Sequence, residues 1–287
     1  MPDIKINGAT PSAYYFGSTA ATAVYYGSTK LWEVTPPAPV LPDRTIRCKF
    51  SSGYTPTMGT SQTLVDASEN IWDIYSYGYS GWETLFNGIT SLESVIAANA
   101  TGVTSFRWTF GGCTSLTTVS LSNTGSVTSM QSTFNGCTSL TTVSLFDTSS
   151  ALDMGAMFYN CSSLLTVPLF DTRSVTNMSN MFKGCSSLTT SPLFNTSSVY
   201  TLSNMFDGCR SLTAIPLFDT SSATSMTRMF YLCTSVDSGA LALYTQASTQ
   251  TNPPRTYNDC FTYCGYNSAS GSAEVAQIPS SWGGTGT

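Results

Sequence analysis

Between residues 82 and 241 the apolar positions return on a fixed beat. Phenylalanine stands at 86, 110, 134, 158, 182, 206 and 230, each 24 residues after the last. Three residues beyond each comes cysteine, at 113, 137, 161, 185, 209 and 233, with Ile89 in that slot of the first copy. Leucine follows three further on, at 92, 116, 140, 164, 188 and 212, and then Val236. A period of this length marks stacked units, each of which buries its apolar face only against its neighbours. One unit alone has too small a core to offset the entropy of ordering its backbone.

Within one copy, Leu164, Val167, Leu169 and Thr172 fit the frame L-x-x-L-x-L-x-x-N, with threonine in the asparagine slot. The frame recurs as Leu116, Val119, Leu121 and Thr124, as Leu140, Val143, Leu145 and Thr148, and as Leu212, Ile215, Leu217 and Thr220. Alternation predicts a short strand with Val167 and Leu169 both pointing inward. Asp171 and Thr172 then read as cap residues ahead of Val175, Met178, Met181, Phe182 and Cys185, whose spacing places them on one helical face, with Gly184 as its stop. The predicted fold class is therefore an α/β repeat: a right-handed leucine-rich-repeat solenoid of 24-residue units, each a short strand and a short helix. Strands about 4.8 Å apart on one side and helices roughly 8–10 Å apart on the other would bend the stack into an arc.

The pattern divides the rest of the chain. Residues 1–34 read as a small β-rich attachment module, in which Ala13 to Thr19 is echoed by Val24 to Thr29. Its aromatic and β-branched residues, punctuated by Gly-Ser, suit short strands and hairpin turns. Residues 35–43, with four prolines, form a stiff linker. Residues 44–81 read as the N-terminal cap, with Ile46, Cys48 and Phe50 alternating and Trp72 and Tyr75 as anchors. Residues 82–241 are the regular repeats. In 242–287 a degenerate last repeat serves as the C-terminal cap: Ala240 to Ala247 suits one longer helix, and Phe261 and Cys264 restore the F-x-x-C spacing.

Composition changes the picture mainly by exclusion. The chain has 287 residues, 41% hydrophobic and 9% charged, with net charge −5 and no histidine. No basic patch offers a footprint for nucleic acid, and no apolar run is long enough for membrane insertion. Met1 to Tyr15 shows no Sec-type pattern. Without histidine no Ser-His-Asp or Cys-His arrangement can be built, and the acids recur with the repeat instead of clustering. We expect no catalytic residues, no cofactor and no metal site.

Three sets of side chains are candidates for recognition or chemistry. The cysteines sit singly, 24 apart, on an apolar face, and read as small core hydrophobes. Cys260 and Cys264, four apart, read as core residues too, with pairing or metal binding as the alternatives. Phe146, Phe170, Phe194 and Phe218 each follow an inward leucine, so alternation turns them outward. They form either a sugar- or protein-binding stripe or a layer packed beneath the turn. Beside them Asp147, Asp171, Asn195 and Asp219 suit turn capping better than calcium. Finally, Thr118, Ser120, Thr142, Ser144, Thr166 and Thr190 give the outward strand face small hydroxyls for a glycan or a flat protein surface. Pro168, Pro192 and Pro216 each remove a ladder donor there, so those strands must be very short or irregular.

The run LFDTRSVTNMSNMFKGCSSL, Leu169 to Leu188, resembles the BspA-like surface leucine-rich-repeat family, and the resemblance covers roughly residues 44 to 284. Ile89 and Ala97 in the first copy, and Ser191 later, depart from its motif. The resemblance implies a binding module rather than an enzyme, of a kind found in bacterial surface adhesins and in phage virion proteins. VYYGSTKLWE, Val24 to Glu33, is similar to short N-terminal modules of structural proteins of gut-type phages. It implies a tail- or fibre-associated virion protein, assembled in the host cytoplasm, that binds a host surface glycan or protein. A head or tail decoration protein and a bacterial cell-surface adhesin are the alternatives. Tyr14, Tyr15, Phe16, Tyr25, Tyr26 and Trp32 would then dock the module on other virion proteins, and fibre-type analogy implies a homo-oligomer, a trimer.

Overall fold

A computed structural model describes residues 23–26, 29–33, 41–59, 61–76 and 80–286. The chain divides into two units, Met1–Val40 and Leu41–Thr287. In the first, β1 (Ala23–Tyr26) pairs antiparallel with β2 (Thr29–Glu33), Ala23 opposite Glu33 and Tyr26 opposite Thr29. Tyr25, Tyr26 and Trp32 lie on these strands. Tyr14, Tyr15 and Phe16 lie outside the described residues.

The second unit opens at Leu41, so residues 41–43, expected to end the linker, belong to it. Leu41 is buried, and its carbonyl accepts a hydrogen bond from Asn99 Nδ2 at 2.8 Å. Strands β3 (Thr45–Phe50), β4 (Ser61–Asp66), β5 (Ile71–Tyr75), β6 (Leu92–Asn99) and β7 (Thr118–Ser122) form one sheet in the order β4-β5-β3-β6-β7. β6 is the joint: antiparallel to β3 of the cap and parallel to β7 of the first regular coil. Ile46, Cys48 and Phe50 are buried, as their alternation predicts.

From there the chain is a stack of coils. The rings of Phe86, Phe110, Phe134, Phe158, Phe182, Phe206, Phe230 and Phe261 form one buried column, with successive centroids 5.3–5.9 Å apart and nearly parallel planes. The expected helices are absent from these coils. Between Met154 and Cys161, alternate amides leave the coil: Met154, Ala156, Phe158 and Asn160 donate to the carbonyls of Asn177, Ser179, Met181 and Lys183 of the next coil at 2.7–3.0 Å. The amides between them, of Met157, Tyr159 and Cys161, close three-residue turns onto Met154, Ala156 and Phe158.

This path requires two left-handed residues per coil. One row runs Thr84, Trp108, Ser132, Ala156, Asn180, Asn204, Arg228 and Asp259, at φ 53–58°. The other is mostly glycine, at 88, 112, 136, 184 and 208, with Asn160, Leu232 and Tyr263 in the remaining coils. A non-glycine residue there costs about 1–2 kcal/mol, which the intercoil hydrogen bonds and the aromatic column offset. Segments rich in Ser, Thr, Asn and Gly favour turns over helix. Apolar spacing alone did not reveal this. The turn side repeats at 5.3–5.9 Å along the phenylalanine column, without the helix-wide spacing on which the expected arc rested.

On the opposite side, β7 follows the alternation, with Val119 and Leu121 buried. In later coils it reverses after the valine: Val143, Val167 and Ile215 stay buried, but Leu145, Leu169 and Leu217 turn outward, as does Leu193. Phe146, Phe170, Phe194 and Phe218 take the inner place, 0–7% exposed. The expected outward phenylalanine stripe is therefore core. Ser122 marks the difference, because it stands in β7 where later copies carry phenylalanine. With a ring available, the larger apolar surface is buried and the leucine gives way. In the three proline copies the reversal is a tight turn, in which the amides of Phe170, Phe194 and Phe218 donate to the carbonyls of Pro168, Pro192 and Pro216 at 2.9–3.1 Å. No strand runs through these stretches, as the prolines predict, nor through the proline-free residues 141–146.

The threonine slot is a buried ladder. Thr124, Thr148, Thr172 and Thr196 donate through Oγ1 to the carbonyls of Asp147, Asp171, Asn195 and Asp219 in the next coil at 2.6–2.9 Å. At the C-terminal end, Gly239 at φ 96° starts the break in period, and a Cβ there would run into the Ile215 carbonyl. Helix α1 (Ala240–Thr249) follows, with Ala240, Leu243 and Ala247 buried. Phe261 and Cys264 then resume the columns. Helix α2 (Ala269–Val275), which the sequence did not suggest, is capped by Ser268. Trp282 stacks on Tyr257 at 4.2 Å, and its carbonyl accepts the Phe261 amide.

Candidate functional site: the leucine and hydroxyl face

The reversal after each valine builds a mixed surface. Leu145, Leu169, Leu193 and Leu217 are 65, 60, 59 and 54% exposed, one per coil. Thr118, Ser120, Thr142, Ser144, Thr166 and Thr190 are exposed on the same stretches, as expected. Pro168, Pro192 and Pro216, half-buried, separate the two kinds of row. Leu145, Leu169, Phe146, Asp147, Thr148 and Asp171 line a shallow depression of about 340 Å³. The leucines were missed because they were assigned to the core; the signal available was the phenylalanine that replaces Ser122 in the later copies.

The acids at the rim are committed to turns. Asp147 Oδ1 accepts both the amide and the hydroxyl of Ser149, at 2.9 and 2.7 Å, and Asn195 does the same for Ser197. Hydrogen bonding to the side chain and then the amide of Ser149 holds the Asp147 carboxyl below its ordinary range, and Ser221 does the same for Asp219. Arg173, through its side chain first, lowers Asp171, which it pairs at 2.6 Å. Capping duty is thus observed, and among the described residues no group of three or more metal-ligating side chains converges.

The cysteines belong to the opposite side. Cys113, Cys137, Cys161, Cys185, Cys209 and Cys233 are fully buried, and each Sγ–H donates to the carbonyl of the column phenylalanine of the preceding coil at 3.0–3.1 Å. Burial pushes the Cys113 thiol up to about 12 and the others in the same direction. Cys260 and Cys264 are free and buried too. The face itself thus offers isobutyl groups interleaved with hydroxyls, a surface chemistry suited to contact.

No helix among the described residues is long and apolar enough to cross a membrane. Among curated proteins none matches the chain. Among solved structures, the T. pallidum leucine-rich-repeat protein TpLRR is similar over 57% of this chain and 86% of that one, at 20% identity and a TM-score of 0.36. Residues 81–167 and 165–253 each match the family described as "Mycoplasma protein of unknown function, DUF285", in agreement with the BspA-like character of the repeats. With more than half of its length so matched, the chain belongs to that family.

Proposed function

We propose that this chain is a non-enzymatic adhesion protein, a leucine-rich-repeat scaffold whose leucine and hydroxyl rows recognise a glycan or protein on a cell surface. One observation carries the reading: four leucines, one per coil, remain more than half exposed while the adjacent phenylalanines are buried. Ordered rows of this kind present equivalent weak contacts, so affinity arises from multivalency rather than from one deep pocket. The closely spaced apolar groups, rimmed by hydroxyls, have the composition of an interaction surface. The resemblance of Val24 to Glu33 to phage structural modules supports a place on the virion, tail or fibre, with the first unit docking on the particle. The likeness of the repeats to BspA-like surface proteins supports a second placement, on a bacterial cell surface. Mass spectrometry of purified particles separates the two: the chain is expected among virion proteins, and its absence there leaves the cell-surface placement. For recognition itself, Leu169→Ser/Leu193→Ser in the full chain is expected to weaken binding to target cells by about tenfold or more. Unchanged binding would refute the face as the recognition surface.

A further inference from the structure

Apart from the leucine face, the turn side of the last coils departs from its own pattern. Elsewhere along this side the aromatic column is buried and stacked nearly parallel. Here Tyr263 and Tyr266 are 54 and 71% exposed, and their rings meet edge-on at 6.3 Å and 81°. Tyr231 meets Tyr263 at 6.0 Å and 73°, and the Arg228 guanidinium lies 5.1 Å from the Tyr231 ring centre. Arg228 Nε pairs with Asp259 Oδ2 at 3.4 Å, both side chains about half exposed. Tyr263 also holds φ 58° in the row where most coils place glycine. Leu232, the preceding member of that row, holds the same φ, so the conformation belongs to the stack, and what sets this end apart is the exposure of two aromatic rings.

We propose that Arg228, Tyr231, Asp259, Tyr263 and Tyr266 form a saccharide-binding patch. Each edge-on contact covers one face of one ring only, so the exposed Tyr263 and Tyr266 keep open ring surface, and the apolar C–H face of a pyranose can lie on an amphipathic phenol ring whose hydroxyl stays wet. The Arg228–Asp259 pair supplies charged donors and an acceptor side by side, matched to neighbouring sugar hydroxyls. A protein partner would need a flat contact of about 800 Å², whereas this cluster is angular and local.

The test titrates the full chain with maltohexaose, cellohexaose and chitohexaose, followed by calorimetry. At least one is expected to bind with Kd below about 1 mM. Tyr263→Ala/Tyr266→Ala is expected to weaken that binding about tenfold or more at unchanged melting temperature, and Tyr263→Phe to retain it. If the double variant fails to fold, Arg228→Gln decides, with weakened binding expected. No binding of any of the three up to about 10 mM would overturn the proposal and leave the cluster to a protein partner. So would undiminished binding by the double variant, or by Arg228→Gln where that variant decides.

Discussion

The two long sides of a coil solve the same packing problem in opposite ways. On the turn side, alternate amides hydrogen-bond to the next coil, the column phenylalanines stack, and the thiols bond to the preceding coil. On the other side, prolines remove donors and a tight turn after the valine replaces the ladder. That leaves a leucine per coil in solvent. Rigidity on the first side permits irregularity on the second, because register is already fixed by the stacked rings and the threonine ladder. A scaffold that must display apolar groups without unravelling gains from this division.

The largest effect expected from breaking the turn side is with alkali. Below about pH 9 the thiols are protonated in both folded and unfolded chains, and stability is unaffected. As pH rises further, the unfolded chain loses protons that the buried thiols keep, since burial raises Cys113 from 9.0 to about 12 and raises its neighbours as well. Stability is therefore lost with rising pH above the ordinary thiol value, by about 1.4 kcal/mol per pH unit for each thiol. Six such thiols in register should unfold the stack cooperatively between about pH 9 and 12, measured as an expansion in hydrodynamic radius. Thiols that titrate near pH 9 in a chain that stays compact would show the turn side to be open.

A smaller effect is expected where the two sides join. Thr172→Val keeps the shape but removes the hydroxyl that donates to the Asn195 carbonyl at 2.8 Å. Leaving that acceptor unsatisfied should cost about 1–3 kcal/mol in urea denaturation. A change near zero would mean that the threonine ladder is incidental to the stack.

The repeat, its number of coils and its main core were legible in the sequence, because Phe, Cys and Leu columns follow directly from the 24-residue spacing. So were the burial of the cysteines, the capping acids and the broken strands at the prolines, whereas the threonines, read as helix caps, bond from coil to coil instead. Two features were not. Spacings of three and four among Val175, Met178, Met181 and Phe182 fit a helix, yet a stack of turns can bury the same residues; what separates them is where alternate amides go, and that is a property of the neighbouring coil. The leucine face was misread because strict alternation assumes an unbroken strand. At Val143-Ser144-Leu145-Phe146 the reversal occurs without a proline, so the larger ring is enough to overturn that assumption, and the prolines of the later copies are compatible with the turn that results.

The central claim is that the phenylalanines, and not the leucines, are core on the irregular side. It is tested most directly by comparing the thermal melting of Phe170→Ser/Phe194→Ser with that of Leu169→Ser/Leu193→Ser. Phe170 and Phe194 are 2% exposed and lie 6.2 and 6.0 Å from the rings of Phe158 and Phe182. Each replacement should cost about 3 kcal/mol or more, so the first variant should melt far below the parent or not fold. The leucine variant should stay within about 0.5 kcal/mol per site, as exposed substitutions do. A leucine variant that melts early while the phenylalanine variant melts like the parent would contradict the account.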